Sequence, residues 1–378
     1  MAVPESGATR SQAVIVAAAA ALVLIASGVP RALLASGVLP EFLRPVVWSD
    51  VLFTFVRGLS GHRLPYVDTP FEYPPLVGIL AGALSLVAST AFAYVVAWVV
   101  VSGAVGAGCA YVLAREAGLR RTLAYWALAP QLLLLGGINF DVIPAALITV
   151  AAVAARRGSD VTAAAALAAG AAAKLFPLAS LPLAILRAKG RTAATAVAFA
   201  VLAVFYLPTM FLPYSSLTAL GFYAVGISSN LDSAWGIVER LLAVLGVPDS
   251  AGAILVITFV GLIATYVLRV VPRGLHATDP AVAFFLATLA LLFWSRLYSP
   301  QYSLWLLPFF VLLPLGARLF VLLCAADIGV FFTIYPLTLV QRGADDQVGL
   351  MLLSALAAFV VLRHAVLLLM WRAALRLA

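Results

Sequence analysis

The chain predicts an all-α polytopic membrane protein, and three observations carry that prediction. Of its 378 residues, 65% are hydrophobic and only 10% are charged, and the mean hydropathy is +1.12. Apolar runs near the length of a bilayer-spanning helix recur almost end to end. Runs such as Ala163 to Ala173 show none of the alternation that membrane β-strands require. Helices satisfy their backbone hydrogen bonds internally, so a helical bundle is the default architecture in lipid.

About twelve transmembrane helices are read, near residues 12–30, 91–114, 122–137, 141–155, 160–173, 175–187, 191–208, 250–270, 280–295, 302–316, 318–338 and 347–362. The first lacks a basic leader followed by a small-residue cleavage site, so it reads as an anchor. Segment 74–90 is apolar enough to cross, but a crossing there would invert every later basic loop. It is placed instead as an outer-face juxtamembrane or re-entrant helix opened by Pro74-Pro75, since proline suits a first helical turn. Residues 233–246 read as an amphipathic helix on the outer face, and 363–378 as an interfacial helix on the inner face. The whole chain, 1–378, forms one membrane domain with extracytoplasmic loops at 31–90 and 209–249. The Ala-rich segments suit close-packed helices.

A formal charge of +8 raises the question of nucleic acid, and its distribution answers it. The topology places 15 basic and 4 acidic residues on one face, including Arg115, Arg120, Arg121, Arg156, Arg157, Arg363 and Arg372. The other face holds 8 basic and 10 acidic residues. The basic excess therefore orients a multi-pass cell-membrane protein with both termini cytoplasmic, and no nucleic-acid partner is needed. Cys109 and Cys324 lie inside apolar runs, with neither disulfide nor metal spacing, and read as packing residues.

The chemistry is concentrated on the acidic face. The first loop collects Glu41, Asp50, Asp68 and Glu72 with Arg44, Arg57, His62 and Arg63. At the same level lie Phe71-Glu72-Tyr73-Pro74-Pro75, Asn139-Phe140-Asp141, Lys174-Leu175-Phe176-Pro177, and Arg296 to Tyr302. A carboxylate can accept the proton of an attacking hydroxyl. Lysine and arginine can bind a phosphate and stabilise it as it leaves. Each residue also has a plainer reading. Asp50 suits a loop or helix terminus, and Asp141 a helix cap. Lys174 can snorkel to the interface. Arg296, between Trp294 and Tyr298, can anchor there. Glu72 can simply pair with Arg57 or Arg63, and His62 can be neither ligand nor base. Asp327 is an intramembrane carboxylate with no evident partner; its distance from the outer motifs favours a structural role. His276 and His364 fall on the cytoplasmic side. No HExxH, Walker loop, GxGxxG or Ser-His-Asp ordering is present.

The ordered motifs resemble the GT-C class of membrane glycosyltransferases, and most closely the polyprenol-phosphate-mannose-dependent enzymes of glycosyltransferase family 87. The resemblance runs from Asp50 through Gly61, Tyr66 and Phe71 to Leu76, then Asn139 to Asp141, Lys174 to Pro177, and Ser299 to Tyr302. A Gly-Gln pair often seen in the second polar loop is replaced by Gly137-Ile138-Asn139, and a histidine near the Ser-Pro motif by Gln301 and Tyr302. The resemblance implies an inverting transfer of mannose or another hexose at the extracytoplasmic face. The donor is a polyprenyl phosphate and the acceptor an envelope glycolipid or glycan. It makes Asp50 the general base. It assigns Asp141, Asn139, Glu72, Tyr73, Gln301 and Tyr302 to substrate, and Lys174, Arg296 and Tyr298 to the lipid phosphate. It implies no metal or other cofactor. A flippase for a lipid-linked sugar and an envelope-assembly scaffold are the competing classes.

Overall fold

The computed structural model describes residues 7–218, 221, 228–247, 250–340 and 346–378. Parts of the second loop, and the charged residues Glu5, Asp249, Arg342 and Asp345, lie outside these. The described residues are helical, with an isolated bridge between Pro65 and Thr69 as the nearest approach to a strand. Six helices are long and apolar enough to cross a membrane: Arg10–Ala35, Ala91–Ala117, Arg191–Met210, Ala251–His276, Ala317–Thr338 and Gln347–Leu375. Five shorter apolar helices accompany them. The protein is an all-α, multi-pass membrane protein.

The first helix opens on a capping box. The Thr9 hydroxyl accepts from Gln12 N, and the Gln12 side chain accepts from Thr9 N. The helix packs along Ala91–Ala117 through small residues. A Cβ on Gly28 would stand 2.2 Å from Val99 Cγ2, and one on Gly106 2.1 Å from Leu24 Cδ1. Close backbone approach of this kind gives the dispersion contact that replaces hydrophobic driving force in lipid.

Segment 74–90 forms the helix Pro75–Val87, with proline at its start and Ala91–Ala117 following directly. Its thirteen residues rise only about 20 Å, short of a hydrocarbon core of about 30 Å. Helices Val142–Arg156 and Asp160–Ala173 form an antiparallel hairpin of nearly equal arms. Asp141 precedes the first arm and Lys174 follows the second, so the hairpin delivers both residues to its open end.

Five spans differ from expectation, and proline stands at the breaks; the run 175–187 becomes a 3-10 turn, Phe176–Ala179, and a short helix, Leu181–Arg187. The run 122–137 divides at Leu128-Ala129 and restarts as Pro130–Leu135, because proline disfavours helical geometry in the residue before it. The run 302–316 becomes a 3-10 turn, Pro300–Trp305, and a short helix, Leu307–Leu312. The run 250–270 continues through a wide turn to His276. The last helix, Asp346–Leu375, runs unbroken past residue 362. No separate interfacial helix begins at Arg363, whose side chain is fully buried against Asp327. Moving Arg363 off the basic face leaves that face strongly positive.

Both cysteines are buried and free. Cys109 Sγ lies 3.4 Å from Thr149 Oγ1 and Cys324 Sγ 3.2 Å from Gln131 Oε1, as packing residues with weak polar contacts.

Candidate active site

Asp50 is the first residue of a short helix, Asp50–Thr54. Ser49 performs the capping, its hydroxyl accepting from Leu52 N at 3.1 Å, so the Asp50 carboxylate is left for other partners. Trp48 Nε1 donates to Asp50 Oδ1 at 2.7 Å, and Asn139 Nδ2 donates to Oδ2 at 2.8 Å. The Asn139 side-chain Oδ1 accepts from Phe140 N at 2.6 Å, which turns the side-chain amide nitrogen toward Asp50. That same nitrogen lies 3.2 Å from the Tyr73 hydroxyl. The Asp50 backbone N–H donates to Ile138 O at 2.9 Å. The first loop and the Asn139 loop are therefore joined through both backbone and side chain.

Trp48 is held in turn. Its ring stacks between Phe53 and Tyr335, with centroids 5.0 and 5.5 Å away. Arg31 Nε donates to its carbonyl at 3.1 Å, while the other guanidinium nitrogens reach Ser27 and Leu134 carbonyls. Arg31, expected at the outer face, is a buried tie between the first helix and the Asp50 loop.

Asp141 and Lys174 form the second feature. Lys174 Nζ lies 2.8 Å from Asp141 Oδ1 and 3.0 Å from Oδ2. Trp305 Nε1 also donates to Oδ1, at 2.8 Å. Asp141 stands at a helix start, but its side chain makes no capping bond there; the carboxylate serves Lys174. The ammonium is roofed by Tyr302 at 4.2 Å from its ring centroid, with Trp305 at 5.6 Å and Tyr73 at 5.9 Å. Tyr302 stacks on Trp305, and Trp305 on Phe176. Lys174 is thus a caged counter-ion of Asp141 and does not snorkel outward.

Asp50 and Trp48 face a cavity of about 900 Å³ whose wall also includes Arg57, Phe71, Glu72 and Tyr214. Burial pushes the Asp50 carboxyl up to about 6. The Trp48 hydrogen bond and the Lys174 charge pull it down, while Asp141 and Glu72 push it further up. The result is a carboxylate still ionised at neutral pH and more basic than a free aspartate. Among the described residues no ion pair joins Glu72 to Arg57 or Arg63. His62 Nδ1 contacts Ser85 O at 2.8 Å, fixing the loop to the Pro75–Val87 helix.

The remaining expected residues make other contacts. The Arg296 carbonyl accepts from Asn230 N at 2.9 Å, and its guanidinium is acted on by burial and by the Glu239 charge. Gln301 is buried, and its Oε1 has no hydrogen-bond partner among the described residues. Tyr298 is fully buried, its hydroxyl 3.0 Å from Ser303 Oγ and its ring 3.9 Å beneath the Arg363 guanidinium.

Asp327 therefore has partners after all. Ser303 Oγ donates to it at 2.7 Å, Gln131 Nε2 donates at 3.1 Å, and Arg363 Nη1 stands 4.0 Å away. Arg363 also donates to the carbonyls of Asp232 and Tyr298. The Pro300–Trp305 turn is gripped on one side by Asp327 through Ser303 and reaches Asp141 on the other through Trp305. Asp327 and His364, expected far from the outer motifs, adjoin the segment that carries one of them; the His364 ring centroid lies 6.0 Å from that of Tyr298.

Among the described residues no three His, Cys, Asp or Glu side chains gather as a metal site would require. A sequence model described as Glycosyltransferase family 87 matches residues 71–300, which is 230 of the 378 residues. The match takes in Glu72, Tyr73, Asn139, Asp141, Lys174, Arg296 and Tyr298, and begins after Asp50. No curated protein matches the chain. With the family match covering more than half of an all-helical membrane chain, the protein belongs to glycosyltransferase family 87.

Proposed function

We propose that this glycosyltransferase moves a hexose, mannose by the resemblance of its motifs, from a polyprenyl phosphate to a hydroxyl of an envelope glycolipid or glycan. The reaction takes place at the extracytoplasmic face. The acceptor hydroxyl gives its proton to the Asp50 carboxylate as its oxygen bonds the anomeric carbon. The bond from that carbon to the phosphate oxygen breaks with its electron pair, and polyprenyl phosphate leaves from the opposite side. The observation that carries this reading is Asp50 on the cavity wall, oriented by Trp48 and Asn139 and pushed up to about 6. Asn139 and Tyr73 position the base. The Asp141–Lys174 pair and its aromatic roof form the adjoining contact surface for a sugar, whose ring faces stack well on aromatic side chains.

Purified protein in lipid nanodiscs, offered polyprenyl-phosphate-linked and nucleotide-linked sugars in parallel, tests the donor class. Transfer from the lipid-linked donors alone is expected. Transfer from nucleotide sugars alone would sink the reading.

A further inference from the structure

The cation expected to meet the donor phosphate does not stand open to the cavity. Lys174 has its ammonium bonded to both Asp141 oxygens under an aromatic roof, and Arg296 lies on the Asn230–Glu239 side. Among the described residues lining the 900 Å³ cavity, Arg57 is the one lysine or arginine. It is exposed, and among the described residues it has no carboxylate within ion-pair distance.

Its position relative to Asp50 suits a leaving group. Asp50, Thr54 and Arg57 follow one another at helical spacing, and all three line the cavity. Arg57 sits in a π turn, Phe55–Leu59, which continues the Asp50–Thr54 helix. Seven residues at about 1.5 Å each put the two Cα atoms ~10 Å apart. A cation in contact with Asp50 would neutralise the base. A cation two turns away, reaching back along the cavity, can meet a phosphate on the far side of the anomeric carbon, since reacting atoms stand ~3 Å apart in attack. Phe53, which lines the cavity, and Val56, next to Arg57 in the chain, are exposed, Val56 by 62%, so apolar surface borders this end of the cavity. A phosphate carrying an isoprenoid chain fits that junction; a free phosphate gains nothing from it.

We infer that Arg57 is the donor-phosphate contact, binding the glycosyl phosphodiester and then the polyprenyl phosphate monoester that leaves. The inference rests on the lipid-linked donor proposed above. A planar guanidinium offers the phosphate two parallel N–H donors, and its charge offsets the negative charge that grows on the leaving oxygen.

Binding of a short-chain isoprenyl phosphate to the purified full chain, compared among wild type, Arg57→Lys and Arg57→Ala, tests the assignment. The matching isoprenol and inorganic phosphate serve as comparison ligands, and the melting temperature of each variant is measured alongside. Arg57→Ala is expected to weaken isoprenyl phosphate binding by ~10–100-fold, with Arg57→Lys intermediate and isoprenol binding unmoved. Wild-type affinity in a folded Arg57→Ala protein would overturn the assignment, as would wild type that does not bind isoprenyl phosphate. Equal dependence of inorganic phosphate binding on Arg57 would overturn the lipid-linked part and leave a free-phosphate site. Wild-type protein that binds isoprenyl phosphate through Arg57 yet transfers no sugar from it would sustain the contact and sink the transferase reading instead.

Discussion

Asn139 binds Asp50 with one amide hydrogen, its Nδ2 standing 2.8 Å from the carboxylate Oδ2, although the two residues are 89 positions apart in sequence. The contact joins the first polar loop to the second and leaves Asp50 facing the cavity. Hydrogen bonds to charged groups contribute about 1.5–3 kcal/mol, so Asn139→Leu should lower kcat by ~10–100-fold. The change should fall on kcat more than on KM, because what is lost is the orientation of the base. Steady-state kinetics on the purified variant give the split directly.

The pH profile reports on the same carboxylate. Asp50 must be ionised to take a proton, and burial holds its carboxyl up to about 6. Activity should therefore rise with pH through about 6 and level off above it. Trp48 Nε1 stabilises the ionised form, so Trp48→Phe should move this acidic limb to higher pH. A limb unmoved by that substitution would mean another group sets it.

Lys174 and Asp141 are a buried pair, and breaking one side leaves a charge stranded. Lys174→Met should cost about 3–5 kcal/mol of stability, since the Asp141 side chain is only 1% exposed. Adding Asp141→Asn removes the stranded charge and should recover most of that loss. Thermal melting of the single and double variants in detergent forms the required cycle.

Arg363 is predicted to matter for stability despite sitting in a span. Its guanidinium serves the Asp232 and Tyr298 carbonyls and stands 4.0 Å from Asp327. Arg363→Met should strand Asp327 and lower the melting temperature sharply, with Asp327→Asn partly compensating. If Arg363 instead lay at an aqueous interface, both substitutions would leave melting within a degree or so of wild type.

Much of this was legible in the sequence. Apolar run length located the helical segments, although among the described residues six, and not twelve, are long enough to cross a membrane, and basic-loop asymmetry gathered Asp50, Asn139, Asp141 and Lys174 at one level, where the structure brings them together. Helix Asp160–Ala173 matches its expected bounds because an Ala run bounded by Ser159 and Lys174 has clear ends. What stayed hidden depended on pairing. Arg31 and Arg363 read as face markers because hydropathy counts a charge without seeing its partner, and each is buried by contacts across the bundle. Asp327 lacked a partner for the same reason: Arg363, Ser303 and Gln131 come from three other segments. Trp305 carries no sequence signal beyond its place three residues after Tyr302, yet it closes the Lys174 cage.

The most direct measurement is single-turnover transfer by Asp50→Asn, with donor affinity measured on the same preparation. Asparagine keeps the shape and can accept one of the two hydrogen bonds through its Oδ1, but it cannot take the proton. Sugar transfer should fall by about a hundredfold or more while donor affinity stays within a few-fold of wild type. Transfer at the wild-type rate by a folded Asp50→Asn protein would contradict the role of Asp50 as general base.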